Sequence, residues 1–279
     1  MKHSICYMKT WLDLNFELII CMDGSPTLKP LPDGQSMHHF GGALTETAYI
    51  YDKALEKLLE KLPKKFTEQS AHQIFVVRCL IVGLGLGYIE LFLLKRFVLS
   101  QIESDNVFIQ SHEAHTDLKA LFQSWLTDPS NPEQKSSEPF QTYHRILDQI
   151  CQTDLTGLPL SPPEQAQLKT DIFNFTKQLL DKNRWKFNDA LNIDSTIPGN
   201  PFHLICFDAY SEKASPELWS EDFLNNFIEI TAASDCVFTT YACTGRLTRA
   251  LLRQQFQSLR SKGFMGKRNS TLMIKGFKK

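Results

Sequence analysis

Residues 79–87, Cys-Leu-Ile-Val-Gly-Leu-Gly-Leu-Gly, constrain this chain more than any other stretch. An apolar run over residues 74–82 feeds into glycines at 83, 85 and 87, and a second apolar series with helical spacing follows at Leu86, Ile89, Leu93, Leu94 and Phe97. The pattern predicts a strand, a tight turn and a helix. Glycine at such a turn lets a bound nucleotide approach the backbone where a Cβ would block it, and the helix directs its free N–H groups at the ligand. Gly83, Gly85 and Gly87 are therefore the expected cofactor-binding loop. The dinucleotide fingerprint requires its third glycine at position 88, where this chain has Tyr88. That departure moves the expected cofactor from NAD towards S-adenosylmethionine, leaving a nucleotide-dependent oxidoreductase as a rival reading.

A chain of 279 residues with 42% hydrophobic and 22% charged residues can bury a sizeable core, as one large α/β domain or a domain with appendages. Its seven cysteines (6, 21, 79, 151, 206, 236 and 243) form no C-x-x-C pair and no zinc spacing. Several lie inside apolar runs, which argues for a reducing compartment and against a disulfide framework. No signal peptide is evident, and Arg78, Glu90 and Lys95 interrupt the longest apolar stretch, so the expectation is a cytoplasmic protein with no membrane span and no metal.

Charge is unevenly spread. The whole chain carries 30 Lys or Arg and 31 Asp or Glu; residues 244–279 hold ten of the basic residues and none of the acidic ones, leaving the first 243 residues at a formal −11. A basic end on an acidic body suggests a polyanionic partner met on one side. A solvated basic face with no partner fits the charge equally well.

Along the chain, apolar residues on either side of Asp23-Gly24 predict a hairpin. A glycine-bearing loop over 37–46 leads to a helix with Ile50, Ala54, Leu55, Leu58, Leu59 and Leu62 on one face, up to Pro63. The adjacent His38 and His39 are read as surface residues. After the glycine helix, residues 107–111 predict a second strand closing on Glu113, whose carboxylate suits the ribose hydroxyls of a nucleotide or, alternatively, a helix start. Residues 127–170 hold six of the thirteen prolines and read as a surface excursion with a short helix at 143–151. Ser161-Pro162-Pro163-Glu164 is a capping box opening a helix to about Leu180. Residues 184–190 predict a third strand, and 203–208 a fourth with Asp208 at its C-terminal tip. A helix from Ser215-Pro216 through Ile228, a fifth strand over 236–241, a helix over 246–256, and a terminal hairpin of 263–265 with 271–274 complete the reading.

Alternating strands and helices imply an α/β, doubly wound, mostly parallel Rossmann-like sheet with an antiparallel edge strand, an N-terminal hairpin and a helical insertion at about 127–180. The expected division is a hairpin and helix over 1–66 packed on a core domain over 67–279. Ligands bind such sheets beyond the C-terminal strand ends, so Glu113 and Asp208 are expected to converge on the glycine loop.

The ordered motifs carry a resemblance. They are Asp23-Gly24-Ser25-Pro26-Thr27-Leu28; His38 with Gly42-Ala43-Leu44-Thr45-Glu46; the 83–87 loop; Ser111-His112-Glu113-Ala114-His115; Phe187-Asn188-Asp189-Ala190; Phe207-Asp208-Ala209-Tyr210 with Lys213, Pro216 and Trp219; Thr240-Tyr241; and Lys262-Gly263-Phe264 with Gly266-Lys267-Arg268. Together the chain resembles the MnmC/MnmD-like methyltransferase domain of the bacterial enzyme that completes 5-methylaminomethyl-2-thiouridine at the tRNA wobble position, over most of its length except about 120–182.

The resemblance implies S-adenosylmethionine as methyl donor, Glu113 on its ribose, Asp189 near its adenine amino group and Asp208 beside the amine to be methylated. Tyr241 and Glu46 are further candidates for positioning that amine. Arg246, Arg249, Lys262, Lys267 and Arg268 are the expected contacts to tRNA phosphates. Asn188 and Ala209 stand where the family has glycine. The family's flavin-dependent second domain has no room here, so a separate enzyme is expected to supply the deprotected aminomethyl group. A different amine or RNA acceptor, and a non-catalytic RNA-binding relative, are the other readings.

Overall fold

A computed structural model describes residues 9–62, 75–192, 197, 199–259, 264–266 and 270–277. Its centre is a seven-stranded sheet. The strands are β3 (Val77–Val82), β4 (Val107–His112), β5 (Trp185–Asn188), β6 (Phe202–Phe207), β7 (Ala232–Thr240), β8 (Gln257–Ser258) and β9 (Thr271–Lys275), in the spatial order β5-β4-β3-β6-β7-β9-β8. The first five strands in that order are parallel, whereas β9 is antiparallel to both β7 and β8. This is the expected doubly wound, mostly parallel sheet with an antiparallel edge.

The central strands are covered on both faces, so their apolar residues point to both sides of the sheet rather than alternating with exposed polar ones. Cys79, Ile81, Ile109, Leu204, Cys206 and Val237 share one core with α2 (Lys53–Lys61), α3 (Tyr88–Leu99) and α6 (Pro162–Asp181). Leu80, Val82, Ile205, Phe207 and Phe238 form the other with α7 (Glu221–Thr231) and α8 (Gly245–Arg253). α3 lies so deep that even Glu90, Lys95 and Arg96 are buried. A hairpin of β1 (Phe16–Ile20) and β2 (Pro26–Pro30) stands beside this sheet as expected. Its turn reaches across to α1 (Ala43–Thr47), where the Ser25 hydroxyl accepts the Ala43 and Leu44 N–H groups and Asp23 accepts that of Thr45.

Four sequence expectations change. The helix expected over 50–62 is interrupted by a π-helical turn, Ala48–Asp52, between α1 and α2. The helix expected from Ser215 is two elements: a short 3-10 turn at Pro216–Trp219, then α7, because the Ser220 hydroxyl accepts the Phe223 N–H and restarts the helix. In the terminal hairpin β9 pairs with Gln257–Ser258; Phe264–Gly266 is a 3-10 turn, and residue 263 lies outside the described residues.

The largest change concerns the middle of the chain. The expected surface excursion contains α5 (Glu138–Ile150), on which Phe140, Tyr143, Ile146, Leu147 and Ile150 are fully buried. The prolines bound the helix rather than signalling an exposed loop, and Pro139 sits in its first turn, where its missing N–H costs nothing. α5 braces the hairpin: Trp11 Nε1 donates to Thr142 Oγ1 at 3.0 Å, and Arg145 and Gln149 both donate to the Gly24 carbonyl. On the other side the buried Lys95 ammonium donates to the Ile150 carbonyl at the end of α5. Phe140→Ala is therefore expected to destabilise the protein by ~3–5 kcal/mol in denaturant unfolding, the cost of a large cavity in a packed core. A loss under ~1 kcal/mol would mean that α5 is decoration.

Candidate active site

Strand register sets the site. Val82 lies opposite His112 on one side and Phe207 on the other, so the residues that follow, Gly83, Glu113 and Asp208, emerge level at the C-terminal edge. Cys206 lies opposite Thr239, which brings Tyr241 beside Asp208. The chain order reverses between β3 and β6, and a crevice opens there, as it does at the switch point of such sheets.

That crevice is a cavity of about 460 Å³ lined by Gly83, Gly85, Glu113, Asp208, Tyr241 and Glu46, with His38, Tyr51, Tyr88 and Tyr210 among its other walls. Two glycines act differently. At Gly83 (φ +93°) a Cβ would lie 2.3 Å from the Asp208 carbonyl oxygen, so this glycine is required by packing. At Gly85 (φ +52°) a Cβ would meet only Met37 Sδ, at 3.5 Å, and that side is open to the cavity. The Gly85 N–H donates to Glu113 Oε2 at 2.8 Å and the His115 N–H to Oε1 at 2.7 Å, which fixes the Glu113 carboxylate against the loop.

Asp208 is held from the opposite wall. The Tyr51 phenol donates to Asp208 Oδ1 and accepts the Tyr241 N–H at 3.3 Å. Tyr51 is buried, and burial together with the Asp208 charge raises its pKa well above the ordinary value, so it keeps its proton. The Tyr241 hydroxyl donates to the Ala209 carbonyl at 3.1 Å, and Glu46 Oε2 accepts the His39 N–H at 2.7 Å.

Tyr88, the residue that broke the dinucleotide pattern, ties the glycine helix to the hairpin: its hydroxyl donates to the Pro26 carbonyl at 2.8 Å, and His38 packs edge-on against its ring. His38 also bonds Thr27 Oγ1 through Nδ1 at 3.0 Å and lines the cavity, so it is part of the site wall rather than a surface residue.

Other expected site residues are not in the cavity. Gly87 caps α3 behind the loop. Asp189 follows β5 at the right level, but its side chain, 84% exposed, is turned outward by an ion pair with Lys119. Arg246 and Arg249 are exposed on α8 and paired with Glu212 and Glu221. Lys262, Lys267 and Arg268 lie outside the described residues. Among the described residues no cluster of His, Cys, Asp and Glu could hold a metal, and no helix is long and apolar enough to cross a membrane.

Residues 147–278 match a family described as S-adenosyl-L-methionine-dependent methyltransferase. No curated protein matches the chain. Among solved structures, MNMC2 from Aquifex aeolicus is similar at 20% identity and a TM-score of 0.56, covering 92% of this chain and 69% of its own. The rRNA methyltransferase AviRa from Streptomyces viridochromogenes is more distant, at 11% identity, coverage of 80% and 82%, and a TM-score of 0.40. The resemblance drawn from the motifs is borne out for the methyltransferase domain: residues 147–278 carry the S-adenosylmethionine-dependent methyltransferase match, and the likeness to MNMC2 bears out the fold. The cavity suits that cofactor: its volume lies in the range of small-molecule sites, the open side of Gly85 leaves a cradle a Cβ would fill, and the buried Tyr210 hydroxyl on its wall has no hydrogen-bond partner among the described residues.

A buried acid underlies this site. Glu90 is fully buried in α3; its Oε1 accepts the Ser111 hydroxyl at 2.8 Å and its Oε2 has no partner among the described residues. Burial pushes its pKa up to about 8. From the ordinary glutamate range up to that value the folded state retains a proton that the unfolded chain releases, so stability falls as pH rises through the window. Glu90→Gln removes this dependence. Its melting temperature relative to the parent is expected to rise by several degrees between about pH 5 and pH 8 in scanning calorimetry. An unchanged difference across that window would mean that Glu90 is ionised in the fold.

Proposed function

We propose that this methyltransferase N-methylates the aminomethyl group of 5-aminomethyl-2-thiouridine at the tRNA wobble position. The observation that carries the reading is the Asp208 carboxylate at the tip of β6, against the glycine loop and on the wall of the cavity, within the ordered motifs that resemble that family.

S-adenosylmethionine, when bound, supplies an electrophilic methyl on a sulfonium. Gly83, Gly85 and Gly87 form its loop in this reading; Glu113, held by the Gly85 and His115 N–H groups, accepts the ribose hydroxyls. Asp189 is assigned to the adenine amino group, which requires it to leave Lys119. The chain's task is alignment, and holding amine and methyl at attack distance supplies ~7–11 kcal/mol of such a barrier. An aminomethyl group is largely protonated in water, so the site must favour the neutral amine. Asp208 orients its nitrogen and takes up or relays its proton, and its negative charge stabilises the positive charge growing on nitrogen during transfer. Tyr241 and Glu46, on the same wall, position the acceptor.

Arg246, Arg249, Lys262, Lys267 and Arg268 are assigned to tRNA phosphates, and a separate enzyme is assigned the release of the aminomethyl group. A different amine acceptor is the second reading, favoured by the acidic partners that already hold Arg246 and Arg249.

The test is nucleoside mass spectrometry of tRNA carrying 5-aminomethyl-2-thiouridine after incubation with protein and S-adenosylmethionine. The expected outcome is conversion to the methylaminomethyl nucleoside, reduced at least ~100-fold by Asp208→Ala. No conversion by protein that binds the cofactor would refute this acceptor. Binding of tRNA is expected to weaken with salt by ~0.7–0.9 log units per decade for each phosphate contact. Affinity indifferent to salt would remove the tRNA assignment.

A further inference from the structure

Tyr51 lay outside the sequence reading, yet it makes the most directed contact in the cavity. Its position depends on the π-helical turn Ala48–Asp52, whose wider winding turns the side chains that follow relative to an α-helix. The turn is anchored on both sides. Thr239 of β7 donates its hydroxyl to the Ile50 carbonyl at 3.0 Å, and the neighbouring Asp52 carboxylate is paired with the buried Arg96 of α3. Tyr51 is thereby presented to the strand edge.

The polarity of its bonds is determined by its neighbours. The Tyr241 main-chain N–H can only donate, so towards it the phenol oxygen must accept. The phenol has one proton, and it points at Asp208 Oδ1. An ionised carboxylate can only accept, and a hydrogen bond donated to the charged form favours that form. Glu46 of α1, Glu113 after β4 and the phenols Tyr210 and Tyr241 share the cavity wall with Asp208, and Glu90 of α3 and Cys206 of β6 lie close enough to interact with it.

We propose that Tyr51 is a positioning residue for methyl transfer: its hydroxyl, locked by the Tyr241 N–H, orients the Asp208 carboxylate and keeps it ionised for the acceptor amine. This rests on the acceptor and the role of Asp208 given above.

The experiment compares parent, Tyr51→Phe and protein carrying 3-fluorotyrosine at position 51, a stronger donor of the same shape. S-adenosylhomocysteine affinity is expected to stay within about threefold in both variants. In Tyr51→Phe, kcat is expected to fall roughly 10–100-fold with little change in KM, and the acid limb of the kcat/KM profile to move to higher pH. The fluorinated protein is expected to move that limb to lower pH. A loss of kcat with the acid limb in place, or no movement in either variant, would overturn the proposal.

A second readout needs no acceptor: the titration of the Asp208 carboxyl carbon by NMR in 13C-labelled protein bound to S-adenosylhomocysteine. It is expected to shift upward in Tyr51→Phe and downward in the fluorinated protein. Parent protein that methylates no aminomethyl nucleoside would refute the acceptor, while this titration still decides the role of Tyr51. Coincident titration curves would refute that role. If Tyr51→Phe does not fold, the fluorinated protein carries the test alone.

Discussion

The close approach of Gly83 to the Asp208 backbone is the contact on which the site depends. The Asp208 N–H donates to the Val82 carbonyl at 2.7 Å, and the carbonyl oxygen of Asp208 occupies the space a Cβ on residue 83 would need. The glycine loop and the residue proposed to act on the acceptor amine are therefore in direct main-chain contact. No flexible loop has to bring them together. Because β3 and β6 adjoin at the switch point, the same contact also fixes where the crevice opens.

Around that fixed centre the chain builds a wall from its first half. The hairpin turn caps α1 with Asp23 and Ser25, α5 braces the turn from behind, and Tyr88 ties the hairpin to the glycine helix. These polar contacts satisfy groups that burial would otherwise leave unpaired, so they hold the wall in one place. The π-helical turn is the local irregularity in this wall, and it delivers Tyr51 to Asp208. Irregular backbone at a site, regular backbone beneath it, is the distribution expected where function and stability make different demands.

The sheet is readable because the central parallel strands are short, apolar-rich runs leading into Gly83, Glu113 and Asp208, which the register places level. The terminal pairing was harder: Gln257–Ser258 is two residues long and exposed, with no apolar pattern to betray it. α5 was misjudged because proline and polar residues at its ends outweighed the apolar spacing of Phe140, Tyr143, Ile146 and Leu147. Tyr51 carried no signal, since a π-helical turn displaces side chains from the 3.6-residue period on which sequence patterns rest. Asp189 was in register but lost to Lys119, a contact between α4 (Thr116–Thr127) and the end of β5 that no local pattern encodes.

The central claim is that the open side of the glycine loop, where Gly85 faces the cavity, is where the cofactor lies. Calorimetric titration of S-adenosylhomocysteine into the parent protein and into Gly85→Val tests it most directly, with NADH titrated in parallel. The account requires saturable binding of S-adenosylhomocysteine, no binding of NADH, and an affinity loss of roughly tenfold or more in a folded Gly85→Val variant. Equal affinity in the two proteins, or binding of NADH in place of S-adenosylhomocysteine, would contradict it.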